Sequence, residues 1–156
     1  MLSRKSKYGL KALLRLAQEA GRGPVLVSEI ADRDAIPKKF LEAILLELNR
    51  QGFVQSKKGK GGGYFLRRSP SEITFGAVIR ALEGPLAAVP CVSQTAYARC
   101  VECVDEATCG VRMAMQEVRD ATAEILDGTT LADINRRTGG IAKRSRNAKS
   151  TKHTRR

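Results

Sequence analysis

Four cysteines, Cys91, Cys100, Cys103 and Cys109, fall within nineteen residues in the spacing C-x8-C-x2-C-x5-C, and the chain has no others. The one histidine, His153, lies near the C-terminus, far from them. Clustered thiols of this kind bind a metal, hold a cluster or do redox chemistry. Four thiolates suit an iron–sulfur cluster, 2Fe–2S or 4Fe–4S. They also suit tetrahedral zinc, for which Cys100-x2-Cys103 has a common spacing, although the partners at eight and five residues do not form a second C-x2-C knuckle. A metal-free switch, in which Cys100 and Cys103 form a disulfide on oxidation, is a further reading. An electron carrier or redox enzyme built on these thiols is the rival class. No nucleophile–base pair or carboxylate pair suggests an enzyme.

The elements around the thiols set what such a site would control. The 156 residues amount to a small domain with appendages, and 42% hydrophobic composition supports a core. No apolar run approaches a membrane span. The basic start followed by Leu10, Leu13 and Leu14 is interrupted by Lys11, Arg15, Gln18 and Glu19 at helical intervals, as in an amphipathic helix rather than a signal peptide. A cytoplasmic location with reduced thiols is expected.

The net charge of +12 is unevenly placed. Residues 1–80 carry a balance of +9, residues 81–135 one of −6, and residues 136–156 one of +9. A polyanion would therefore meet the first half and the tail, while the cysteine segment faces elsewhere.

Hydrophobic periodicity predicts a first helix over 6–20 with a stripe of Leu10, Leu13, Leu14, Ala17 and Ala20. A short second helix follows in SEIADRDA, with Ser28 as N-cap. A third opens at Pro37, with Leu41, Ile44, Leu45 and Leu48 on its buried face. Two strands, FVQSK and GYFLRR, flank a basic, glycine-rich tip containing Lys58, Lys60, Gly61, Gly62 and Gly63. A helix capped by Thr74 comes next, with Phe75, Val78, Ile79 and Leu82 facing inward.

Helix, turn, helix and basic hairpin in that order make a winged helix-turn-helix, so the fold class is mainly α with a small β-wing. The expected organisation is a DNA-binding domain over 1–83, a cysteine-rich sensor loop over 84–104, a dimerisation helix over 105–135 and a disordered basic tail over 136–156. The long helix is predicted from about Asp105 to Leu126. Its one-sided stripe of Val111, Met115, Val118, Thr122 and Ile125 asks for a second copy as partner, giving a homodimer. Thr130 is expected to cap a last turn, LADIN.

Candidate DNA contacts are Lys5 and Lys7 before or within the first helix, Ser28 at the second, and Lys38, Lys39, Phe40 and Glu42 at the start of the recognition helix. On the wing they are Lys57, Lys58, Lys60, Gly61, Gly62 and Gly63. Lys39 has the reach and chemistry for guanine, and Glu42 accepts from a cytosine amine. The glycine-rich KGKGGG lacks the GxxxxGK[ST] pattern of a nucleotide-binding loop.

KYGLKALLRLA, then VSEIADRDAIPKKFLEAILLELNRQGFVQSKKGKGGGYFL, then ITFGAVIRALEG, together resemble the bacterial Rrf-type winged-helix regulators over about residues 1–135. The resemblance implies a homodimer on palindromic double-stranded operator DNA. It also implies an iron–sulfur cluster on three cysteines with a fourth ligand that varies among members. Cys103-x5-Cys109 is similar to the second and third cluster cysteines of the family, the first being Cys91 or Cys100. The chain departs from the pattern at the fourth ligand. Arg112 stands where IscR-like members place a histidine, and Tyr8 where NsrR-like members offer an acidic residue. All-cysteine ligation is then the natural proposal for a chain with four.

Overall fold

The computed structural model describes residues 2–139. Helix α1, Arg4–Gln18, starts two residues earlier than its periodicity predicts, because the Ser3 hydroxyl accepts the Ser6 N–H and caps it. Its buried face is Leu10, Ala12, Leu13 and Leu16. Leu16 replaces the expected Ala20, which lies beyond the helix end and is exposed. Helix α2, Val27–Asp34, ends where Ala35 turns left-handed at φ 52°. Helix α3, Lys38–Arg50, takes Pro37 as its N-cap rather than its first residue, and buries Leu41, Ile44, Leu45 and Leu48.

Strands β1, Val54–Lys57, and β2, Gly63–Leu66, pair antiparallel with Val54 opposite Leu66 and Lys57 opposite Gly63. The segment after α1 joins this hairpin through a bridge between Val25 and Tyr64. Helix α4, Phe75–Glu83, is capped by Thr74, whose hydroxyl accepts the Ala77 N–H. Val78, Ile79 and Leu82 enter the same core as α1 and α3.

The thiol segment follows as irregular chain around one 3-10 turn, Pro90–Val92. Helix α5 spans Gly110–Asp127, five residues later than predicted. The cause is local. The Asp105 carboxylate accepts the Ala107 N–H and the Thr108 hydroxyl, closing a turn of its own instead of capping a helix. After α5 the chain returns to the first domain: Thr130 bridges to Thr74, and Leu131 is fully buried in the winged-helix core. Thr130 caps the helical residues 131–139 through the Asp133 N–H, as expected, but the helix runs past Asn135. Residues 136–139 are therefore helical, contrary to the expectation of disorder from 136. Arg136 pairs with Asp133, and the Asn135 amide donates to the Leu14 carbonyl. The remainder of the tail, with His153, lies outside the described residues. No described helix is long and apolar enough to cross a membrane.

Candidate nucleic-acid interface and thiol site

Exposed lysines stand on α1, on α3 and on the hairpin. Phe40 meets the Tyr8 ring edge-on, with centroids 5.8 Å apart, which ties α1 to the first turn of α3. That contact brings the segments bearing Lys7 and Lys38–Lys39 together, all exposed. The first turn of α3 has no acidic residue, so the positive end of the helix dipole adds to the lysines. Glu42 is exposed one turn along. Ser28 is not a cap: α2 begins at Val27 with Leu26 as its N-cap, and Ser28 sits half-buried inside the helix.

Lys5 differs from the other lysines. Its ammonium is 2.7 Å from Glu47 and donates to the Leu82 carbonyl at 3.1 Å, so it pins α1 to α3 and α4. Among the described residues, Lys7, Lys38, Lys39, Lys57, Lys58 and Lys60 have no ion-pair partner. The wing glycines have a structural purpose beyond close approach to DNA. A Cβ on Gly63, at φ 141°, would lie 2.3 Å from the Val25 carbonyl oxygen, and one on the buried Gly62 would lie 2.5 Å from that of Lys57. Gly61 is exposed at the tip.

All four cysteines are free thiols. Cys91 is buried in the 3-10 turn beside Val92. Its thiol lies close enough to Cys100 for the two to influence each other. Burial pushes its thiol up, Cys100 adds to the shift, and the Arg112 guanidinium opposes it. The Nε of Arg112 is buried and has no hydrogen-bond partner. Cys103 follows in a turn, its N–H donating to the Cys100 carbonyl, and Arg99 donates to the carbonyls of Cys103 and Val104. The Tyr97 hydroxyl donates to Glu106, and that bond raises its pKa. Cys109 is the N-cap of α5 rather than a residue of its first turn, and its side chain makes no capping bond.

Of the four thiols, Cys91 and Cys100 lie near enough to influence each other. No three His, Cys, Asp or Glu side chains converge closely enough to hold a metal ion among the described residues. The donors are of the kind a cluster takes, but gathering them requires the segment after Cys91 to close. That segment leaves Val101 97% and Val104 94% exposed, so little packing opposes such a movement.

Helix α5 carries no buried residue and shows two different faces. Val111, Val118 and Ile125 form an exposed apolar stripe at seven-residue intervals. The helix is fixed to the first domain by the paired hydrogen bonds of Arg80 to Asp127, at 2.6 and 2.9 Å. It is fixed to the thiol segment by Arg119, whose side chain donates to the Val92 carbonyl. Sequence reasoning missed Tyr8, Arg80 and Arg119. Arg119 is one of three arginines, with Arg99 and Arg112, in the acidic 81–135 stretch, so its charge alone did not single it out.

A two-helix reader with a basic wing, exposed cations without ion-pair partners among the described residues, and a helix offering an apolar stripe defines a winged-helix, DNA-binding transcription regulator. Residues 2–137 match the family model described as Rrf2, iron-dependent transcriptional regulator. An rrf2-like HTH-type transcriptional regulator of Rhodobacter capsulatus is 42% identical over 137 residues, covering 86% of this chain and 91% of that protein. The structure of CymR, the global cysteine regulator of B. subtilis, superposes with a TM-score of 0.73 at 35% identity, covering 86% of this chain and 95% of that one. T. potens IscR does so at 0.69 and 32%, covering 88% of both. The chain belongs to the Rrf2 family of transcriptional regulators, and its relatives are regulators rather than enzymes.

Proposed function

We propose that this chain is a cytoplasmic, homodimeric regulator that binds palindromic operator DNA and senses iron, redox state or nitric oxide through an iron–sulfur cluster. The observation that carries this reading is the placement of the thiols. Cys91 is buried in the turn bonded to α5, and Cys109 occupies the N-cap position of that helix, so chemistry at the sulfurs acts on the helix that offers a dimer face. The family description as iron-dependent and the likeness to IscR support iron as the metal. Cys91, Cys100, Cys103 and Cys109 would hold it, the fourth thiol standing in for a non-cysteine ligand.

Lys7, Lys38, Lys39, Lys57, Lys58 and Lys60 contact phosphates and bases, with Phe40, Glu42, Ser28 and the wing glycines setting the approach. Lys5 acts mainly by holding α1 in place. A second copy covers the stripe of α5, and an isologous contact repeats each residue twice. The stripe's tilt sets the separation of two recognition helices against half-sites about 34 Å apart. Loading or losing the cluster shifts the dimer between arrangements of different operator affinity.

A second reading, a cluster-free thiol switch, is favoured by the proximity of Cys91 to Cys100 and by likeness to a regulator named for cysteine. Peroxide would take two electrons and two protons from the pair, forming the disulfide and leaving two waters. This moves the expected disulfide from Cys100–Cys103 to Cys91–Cys100.

Purification without oxygen, followed by a visible spectrum and iron, sulfide and zinc analysis, tests the choice. Sulfide-to-iron charge-transfer bands with matching iron and sulfide are expected. A colourless chain with zinc, or with no metal, would overturn cluster sensing and favour a structural metal, the thiol switch or a small-molecule ligand.

A further inference from the structure

We propose that Arg119 is the positioning residue that transmits the state of the thiol segment to α5. The inference rests on the reading of that segment as the sensor. The side chain of Arg119 is 13% exposed. Its Nη1 donates to the Val92 carbonyl at 2.5 Å, across 27 positions of sequence, and its Nε donates to Asp120 at 2.8 Å. The Val92 carbonyl accepts no backbone hydrogen bond outside the regular elements among the described residues, so Arg119 satisfies a buried acceptor next to Cys91.

A movement of Cys91 displaces Val92 and, through this bond, pulls on the middle of α5. Val118, in the exposed stripe, is the preceding residue and lies about 100° round the helix from Arg119. A pull on Arg119 therefore rotates or shifts the surface proposed to meet the second copy. Loss of a buried carbonyl's only side-chain donor would leave the thiols and the stripe intact but uncouple them. The other tether of α5, Arg80 to Asp127, runs to the DNA-binding domain and not to the thiols, so it does not duplicate this path.

The test compares the full chain with Arg119→Met and Arg119→Lys. The affinity of each for a duplex selected from random sequence is measured by fluorescence anisotropy in two thiol states. These are iron- and sulfide-loaded against metal-free or, if the wild type takes up no iron, peroxide-oxidised against reduced. Iron per chain, thiol count and sedimentation are measured on the same samples. The wild type is expected to change affinity about fivefold or more between states. Arg119→Met should keep its iron or thiol count, its dimer and its affinity in the unloaded state, yet change less than about twofold between states. Arg119→Lys, which keeps a donor, should fall between.

A wild-type ratio in Arg119→Met overturns the inference. So does failure of that variant to load or dimerise, since the residue would then be structural. A wild type whose affinity is the same in both states overturns the sensor reading itself, and with it this inference, a result distinct from the other two.

Discussion

The salt dependence of DNA binding distinguishes lysines that meet phosphates from lysines that hold the fold. Lys57, Lys58 and Lys60 are exposed and have no ion-pair partner among the described residues, whereas the Lys5 ammonium sits 2.7 Å from Glu47. Each phosphate neutralised on duplex DNA contributes about −0.9 to the slope of log affinity against log salt. Replacing the three wing lysines with glutamine in both subunits of a dimer should make the slope shallower by up to roughly five. Between about 50 and 200 mM salt the wild type would then lose on the order of a thousandfold more affinity than the variant. Lys5→Gln should leave the slope nearly unchanged and instead lower stability, because it removes the tie from α1 to Glu47 and the Leu82 carbonyl. The assay is anisotropy titration of a fixed duplex at several salt concentrations, with thermal unfolding run in parallel. An unaltered slope in the wing triple variant, or an equal change in Lys5→Gln, would refute the assignment of the wing to the backbone.

Further outcomes follow from packing and charge. Val118→Lys places a charge twice in an isologous α5 contact and should weaken dimerisation by about tenfold or more, read by sedimentation equilibrium, with helical circular dichroism retained. Gly63→Val cannot keep φ 141° beside the Val25 carbonyl, so wing-dependent DNA binding should fall while the helices remain, as measured by anisotropy and circular dichroism. Hydrogen bonding from Arg80 holds the Asp127 carboxyl below its ordinary range. A depressed carboxyl contributes stability that is present above its unfolded pKa of about 3.9 and is lost as pH falls through its folded value. Denaturant unfolding at several pH values should therefore show a shallower acid loss below about pH 4 in Asp127→Asn than in the wild type, and identical profiles would discount the Arg80 tie.

Local signals carried most of the fold. The stripe Leu41, Ile44, Leu45 and Leu48 is buried as its period requires, and Thr74 and Thr130 cap as their types suggest. Errors arose where one local preference beat another. Ser28 resembles an N-cap, yet α2 opens at Val27 behind Leu26, which makes no side-chain capping bond, and Asp105 closes its own turn and delays α5 to Gly110. Long-range ties were invisible in the residue order: Val25 against Tyr64, Lys5 against Glu47, and Leu131 in the core of a domain that sequence reading had ended at 83. At the candidate site, the cysteine types and spacing were legible, but their mutual positions were not. Spacing alone cannot say that Cys91 is buried near Cys100 while Cys109 sits at the N-terminus of a helix. Arg119 could not be assigned from sequence because its partner is a backbone carbonyl, which has no residue signature.

The central claim is that the state of the thiols governs how the protein holds DNA. Its most direct test is the affinity of one oxygen-free preparation for one selected palindromic duplex, measured before and after iron and sulfide are added, at fixed salt. The account predicts a change of about fivefold or more that is absent in Cys103→Ser. Equal affinities in the two states, or an undiminished change in Cys103→Ser, would contradict it.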